Sequence, residues 1–231
     1  MKGEFDTSFG WMGALLHFAD SVLPVGAYAH SMGLEGMCQE GVVHDEESLR
    51  QFLRRDVRHS LVEVDLPIMA RSHAACLDGD GDAVRRWDEL SWAMRPTRQL
   101  RDAAGKVGRQ TWLLYEKTWG SGESAIKRGW FPKFQAPVVS GVVFAAEGAP
   151  LEVCLWAGAY QVYSALLQAA LKVLPIGPGA TQVLLRELLS EIEPNFPGVL
   201  KRRDEDLGTF NPLWDIGASR HERAEARMFI S

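Results

Sequence analysis

Three groups of residues in this sequence are of the types that do chemistry. Asp20, Ser21, His30 and Ser31 supply an acid, a base and two hydroxyls, the parts of an acyl-transfer triad. His30-Ser31-Met32-Gly33 lacks the Gly-x-Ser-x-Gly turn that lifts a serine above a sheet, and such residues fall near one another by chance in most chains. His73 and Cys76 stand three apart, so on a helix they share a face and could bind one metal ion. Two ligands do not make a site and no second pair is visible; a half-buried histidine and a small buried thiol are the simpler reading. Asp78, Asp80 and Asp82, with Glu89 at the twelfth position, reproduce the ligand spacing of an EF-hand loop. The sixth position is Ala83 where the loop's sharp turn needs glycine, and Arg85 and Arg86 put positive charge where a cation would sit. Acidic turns of this kind also cap helices. Gly120-Ser121-Gly122-Glu123 has neither the preceding strand nor the following Lys-Ser/Thr of a phosphate loop.

These residues must be positioned by helices, because strand signals are scarce. Asp45 is placed to cap a helix whose Leu49, Phe52, Leu53, Val57, Leu61, Val64 and Ile68 recur at three- and four-residue steps, with a kink expected at its end at Pro67. Asp78 to Gly81 reads as a turn, and a further helix runs to about Met94. Pro96 fits the first turn of the next, which reaches Trp119 and carries Ala104, Gly105 and Gly108 as a close-packing face. Residues 120–132 read as a connector. Pro137 opens a short apolar helix that Gly148 closes, and Pro150 opens a long one. Thr181 to Ile192 reads as a helix stopped by Pro194, and Asp215 is expected to cap the last helix. A short helix from Ala27 to about Gly41 would put Tyr28, Ser31 and Glu35 on one face. The expected fold is all-α, a single domain (1–231) built as a bundle of about eight to ten helices, with a docking C-terminal tail from about 215 to 231.

Composition narrows the function. Hydrophobic residues make up 46% and charged residues 24% of 231 residues, an ordinary globular balance. The net charge of −5 argues against a nucleic-acid binder, which needs a basic surface. The run Lys201-Arg202-Arg203-Asp204-Glu205-Asp206 reads as a self-compensating solvated loop. Val153 to Leu171 carries no charge, but Gln161, Ser164 and Gln168 mark one polar face, so the stretch reads as a buried helix rather than a membrane span. Cys38, Cys76 and Cys154 are odd in number and far apart, which fits a reducing compartment and a cytoplasmic location. No cofactor motif is present. The chain ends on Arg227-Met228-Phe229-Ile230-Ser231, an apolar tip on a charged helix, which points to docking on its own domain or on a partner.

Leu23-Pro24-Val25-Gly26-Ala27-Tyr28-Ala29-His30-Ser31-Met32-Gly33-Leu34-Glu35 resembles the signature of the UreF family of urease accessory proteins. Asp215-Ile216, Arg220-His221-Glu222 and the Arg227 to Ser231 ending resemble that family's C-terminus. Pro137-Val138-Val139 with Gly141, and Leu174-Pro175-Ile176-Gly177, match two segments between them in the family's order. The chain departs from the family at Gln135-Ala136, at Gly177 to Gln182 and at Glu225-Ala226.

The resemblance implies an all-α, typically homodimeric protein that is not an enzyme. It implies partners UreD (also called UreH), the GTPase UreG and apo-urease, and a role in nickel insertion. It singles out Pro24, Gly26, Tyr28, His30, Gly33, Glu35, Arg220, His221, Glu222 and Arg227 as partner-binding residues, with Tyr28 expected to position the tail. His30 and His221 are the candidates for transient nickel contact. Two alternatives stay open: a calcium-binding helical protein using the Asp78–Glu89 loop, and an all-helical enzyme.

Overall fold

Apolar residues at helical spacing bury themselves most simply helix against helix. That is the arrangement in the computed structural model, which describes residues 10–20, 31–120, 126–220 and Phe229. Among the described residues there is no strand.

Helix α1 (Trp11–Ala19) and the short α2 (Leu34–Gln39) precede a long rod. The rod starts at Asp45, whose carboxylate accepts the Ser48 N–H (2.8 Å) while the Ser48 hydroxyl accepts the Asp45 N–H (3.0 Å). It contains α3 (Glu46–Phe52), a π stretch Leu53–Val57, α4 (Arg58–Ser60), a second π stretch Leu61–Asp65, and α5 (Leu66–Leu77). The π stretches follow from the spacing of its apolar stripe. Leu49, Leu53, Val57 and Leu61 repeat every four residues, whereas an α-turn takes about 3.6. Widened turns keep all four in the core, where each is buried. Pro67, where a kink was expected, lies within the rod. It sits in the first turn of α5, directly after the second π stretch, where a missing N–H is tolerated.

Asp80 caps α6 (Gly81–Ala93) by accepting the Ala83 N–H at 2.8 Å. Asp82, Ala83 and Glu89 are therefore helical residues and no calcium loop exists at Asp78–Glu89. Thr97, not Pro96, begins α7 (Arg98–Thr118), its hydroxyl accepting the Leu100 N–H, so the proline lies outside the helix. A 3₁₀ turn at Arg128–Trp130 leads to α8 (Ala136–Ala146), and α9 (Leu151–Val173) follows beyond Gly148. Helix α10 (Pro178–Ile192) starts three residues earlier than expected, on a proline suited to a first turn. Helix α10 ends at Ile192, just before Pro194, as expected. The chain passes through a 3₁₀ turn, Glu193–Asn195, into α11 (Phe196–Lys201), and the Asn195 amide donates to the Glu191 and Ile192 carbonyls freed there. The last helix, α12 (Pro212–Arg220), begins ahead of Asp215, whose N–H donates to the Asn211 carbonyl.

One apolar cluster runs from Ala14 of α1 to Phe229, centred on α5, α8 and α9. The uncharged run in α9 is buried as expected, and Gln161 on its polar face donates to the Phe18 carbonyl at 2.7 Å. No described helix is long and apolar enough to cross a membrane. His73 Nε2 donates to the Ala149 carbonyl (2.9 Å) and the Cys76 thiol to the Val142 carbonyl, so both serve packing. The 201–206 run is not merely self-compensating: Arg203 pairs with Glu205 and Asp206, but Arg202 pairs with Glu63 and Arg71 with Asp204, fastening α11 to the rod.

Candidate functional site

The two ends of the described chain meet. Ser31 is buried, Met32 and Gly33 take positive φ (50° and 85°), and α2 begins only at Leu34. The expected helix from Ala27 with Ser31 and Glu35 on one face is thus broken at Met32-Gly33. Left-handed backbone costs little at glycine and is uncommon elsewhere. Here it turns the Met32 carbonyl toward α12, where it accepts the Trp214 Nε1–H at 2.6 Å. A Cβ on Gly33 would lie 2.8 Å from that same nitrogen.

Backbone meets backbone where α2 crosses α12. A Cβ on Gly36 would lie 2.1 Å from the Gly217 carbonyl oxygen, and one on Gly217 would lie 3.0 Å from Met37 Sδ. Trp214 and Ala218 are buried beside them, with Phe52 of the rod edge-on to Trp214 at 5.3 Å. The other face of α12 is open. Leu213 and Ile216 are exposed, and Phe210, just before the helix, is 83% exposed.

Glu35 closes the junction. Its carboxylate is buried and accepts the Phe229 backbone N–H at 3.1 Å. The Phe229 ring is buried, with Lys172 Nζ of α9 4.8 Å from its centre. Phe229, the described residue of the apolar tip, therefore packs on its own domain. Burial, and secondly the Glu35 charge, push the Cys38 thiol up to about 11, so it stays protonated at neutral pH and is a poor metal ligand.

A cavity of about 170 Å³ opens beside the junction, lined by Met32, Leu61, Met69, Leu100, Val107 and Trp214 among others. It is mostly apolar. Of its charged groups, Asp65 pairs with Arg95 at 2.7 Å, and burial raises the Asp215 carboxyl. Among the described residues no three His, Cys, Asp or Glu side chains come together as a metal site.

Of the residues singled out from the sequence, Gly33 and Glu35 lie in this junction, and the backbone of Arg220 ends α12. Pro24, Gly26, Tyr28, His30, His221, Glu222 and Arg227 lie outside the described residues. Sequence reasoning missed Gly36, Trp214 and Gly217. The signal was present in the Gly33-x-x-Gly36 spacing and the small pair Gly217-Ala218, which let helices approach closely.

A model of the UreF family matches residues 43–189. The chain is 30% identical over 220 residues to the urease accessory protein UreF of Klebsiella pneumoniae, a match covering 94% of this chain and 96% of that one. It is 32% identical over 223 residues to the protein of that name in Pseudomonas putida, with the same coverage. With the urease accessory protein UreF 2 of Brucella canis it shares 28% identity over 238 residues, covering 99% and 96%.

Proposed function

The chain belongs to the UreF family of urease accessory proteins, and from that premise we propose that it is a non-catalytic scaffold for urease maturation. In this reading it binds UreD (UreH), recruits the GTPase UreG to apo-urease and so supports nickel insertion. It works as one domain spanning 1–231, in the cytoplasm and as a homodimer. One apolar cluster from Ala14 to Phe229 supports the single domain, and three free cysteines support a reducing compartment.

One observation carries the scaffold reading. The described parts of the two segments that most resemble the family, far apart in sequence, pack into one junction whose outer side is apolar. Met32 to Glu35 and α12 hold each other, Phe229 is latched beneath, and Phe210, Leu213 and Ile216 face outward. Exposed apolar side chains on a short helix near a terminus suit a protein partner better than a small substrate. UreD is the partner assigned to this surface. Gly33 and Glu35 shape it from within, and Pro24, Gly26, Tyr28, His30, Arg220, His221, Glu222 and Arg227 are assigned to the same contact.

Co-expression tests this. Tagged chain should retrieve UreD, and UreG with it. Leu213→Asp with Ile216→Asp should abolish retrieval while leaving the melting temperature within a few degrees, because surface changes cost little in stability. Undiminished retrieval of UreD by that variant would remove α12 from the interface.

A further inference from the structure

A second built surface lies on α6, α7 and the segment entering α8. Between Arg85 and Lys133 the sequence carries eleven Lys and Arg against five Asp and Glu, in a chain whose net charge is −5. The folding of this region gathers five of those cations along one strip.

Asp88 is fully buried, and its carboxylate accepts the backbone N–H groups of Lys133 (2.6 Å), Phe134 (3.0 Å) and Gln135 (2.6 Å). Burial pushes its carboxyl up, and the three donors work against that. Phe134 is held at φ 55°, left-handed for a bulky residue. Helix α7 presents Gly108 to the same segment: a Cβ there would lie 1.9 Å from the Phe134 oxygen. What comes this close is thus an irregular segment, not the partner helix that small residues usually admit. Backbone kept in so uncommon a geometry is over-determined by its surroundings and marks a place to look for function.

The fixed segment aligns cations along its outer side. Lys133 Nζ and the Arg101 guanidinium lie 4.6 and 4.8 Å from the centre of the same Trp92 ring. Arg109 and Arg128 lie 4.5 and 6.0 Å from the Phe134 ring. Arg85 donates to the Gly129 carbonyl at 2.8 Å, beside Arg128. Among the described residues none of these five forms an ion pair, whereas Arg95 and Arg98 nearby are paired with Asp65 and Asp102. Asp82 and Glu89 of α6 and Glu116 of α7 are the other exposed carboxylates of these helices. Aromatic faces hold cations in place without neutralising them. The strip therefore retains a positive field that an anionic partner would satisfy.

We propose that this strip docks an acidic segment of a partner protein, its carboxylates meeting Arg101, Arg109, Arg128 and Lys133, with Trp92 as the apolar contact. Charge complementarity carries the assignment. Protein is favoured over nucleic acid because a phosphate backbone running beyond the strip meets a chain that is otherwise strongly negative. The inference is independent of what binds α12.

Fluorescence anisotropy with the full chain and a labelled deca-glutamate peptide tests it. Wild type should bind, more weakly as salt rises. Arg109→Glu with Arg128→Glu and Lys133→Glu should weaken binding at least about tenfold. Arg109→Lys with Arg128→Lys should keep most of it, and Arg55→Glu, on the exposed side of the rod, should leave it unchanged. If the triple variant loses its helical circular dichroism, Lys133→Glu alone, an exposed side chain, must still show a measurable loss. No binding by wild type at low salt, equal affinity in a folded reversal variant, an equal loss in Arg55→Glu, or tighter binding of an oligothymidylate of matched charge would each overturn the proposal.

Discussion

The α2–α12 junction and the Asp88 junction are built from the same parts and differ in how firmly they hold. Each sets residues at positive φ, Met32-Gly33 in one and Phe134 in the other, against a helix that a glycine allows to come close. Each uses a buried carboxylate to accept backbone N–H groups. Asp88 takes three, in the middle of the chain, where both flanking segments are helical. Glu35 takes the N–H of Phe229, almost two hundred residues away along the chain and next to residues that the family reading assigns to a partner. The account expects the Asp88 junction to stay closed in every state of the protein, and the Glu35 contact to open when a partner binds.

That contrast can be broken most forcefully at Asp88. Asp88→Ala leaves three N–H groups without their acceptor, those of Phe134 and Gln135 buried at about 1–3 kcal/mol each, so urea unfolding should show a loss of about 4 kcal/mol. A loss below about 1 kcal/mol would mean the segment repairs itself, and the junction would not be permanent. Gly36→Val comes next. Its Cβ would press on the Gly217 carbonyl, and overpacking of this kind costs about 1–3 kcal/mol. The effect should concentrate on α12, seen as faster proteolysis near the C-terminus; uniform destabilisation would argue against a separable junction.

Glu35→Ala should cost about 1–3 kcal/mol globally, less than Asp88→Ala. Amide exchange sharpens the comparison here: the Phe229 amide should lose protection while Lys133, Phe134 and Gln135 keep theirs. Parallel loss at both places would show that the junctions open as one unit. The smallest effect is chemical. With its thiol at about 11, Cys38 should react slowly with iodoacetamide at neutral pH, the rate climbing as pH rises toward that value because the thiolate is the nucleophile. Glu35→Ala removes a charge that holds the thiol up, so alkylation should quicken modestly; an unchanged rate would separate Cys38 from the latch.

Local features of the fold were legible in the sequence. The Asp45 cap, the prolines that open α8 and α9 and the turn at Gly148 all act within a few residues. The buried stripe of the rod was legible, but its π stretches were not, because three- and four-residue steps are read the same way on any helix. Helix α11 was hidden because Pro194 breaks α10 without turning the chain away, the Asn195 amide taking up the freed carbonyls. The role of Asp88 was not legible, since nothing local announces a partner 45 residues away. Glu35 and Gly33 were singled out through the family's motif. The reasons they matter, an amide at residue 229 and a tryptophan at 214, are long-range contacts that no local pattern encodes.

The most direct test of the scaffold account is urease itself. Urease genes would be expressed with their accessory genes in nickel-supplied cells, with wild-type chain, with the Leu213→Asp/Ile216→Asp variant, or with this chain omitted, and activity and bound nickel measured on the purified enzyme. The account predicts assembled but nickel-poor, inactive urease both on omission and with the variant. Urease equally active and equally loaded in all three would contradict it.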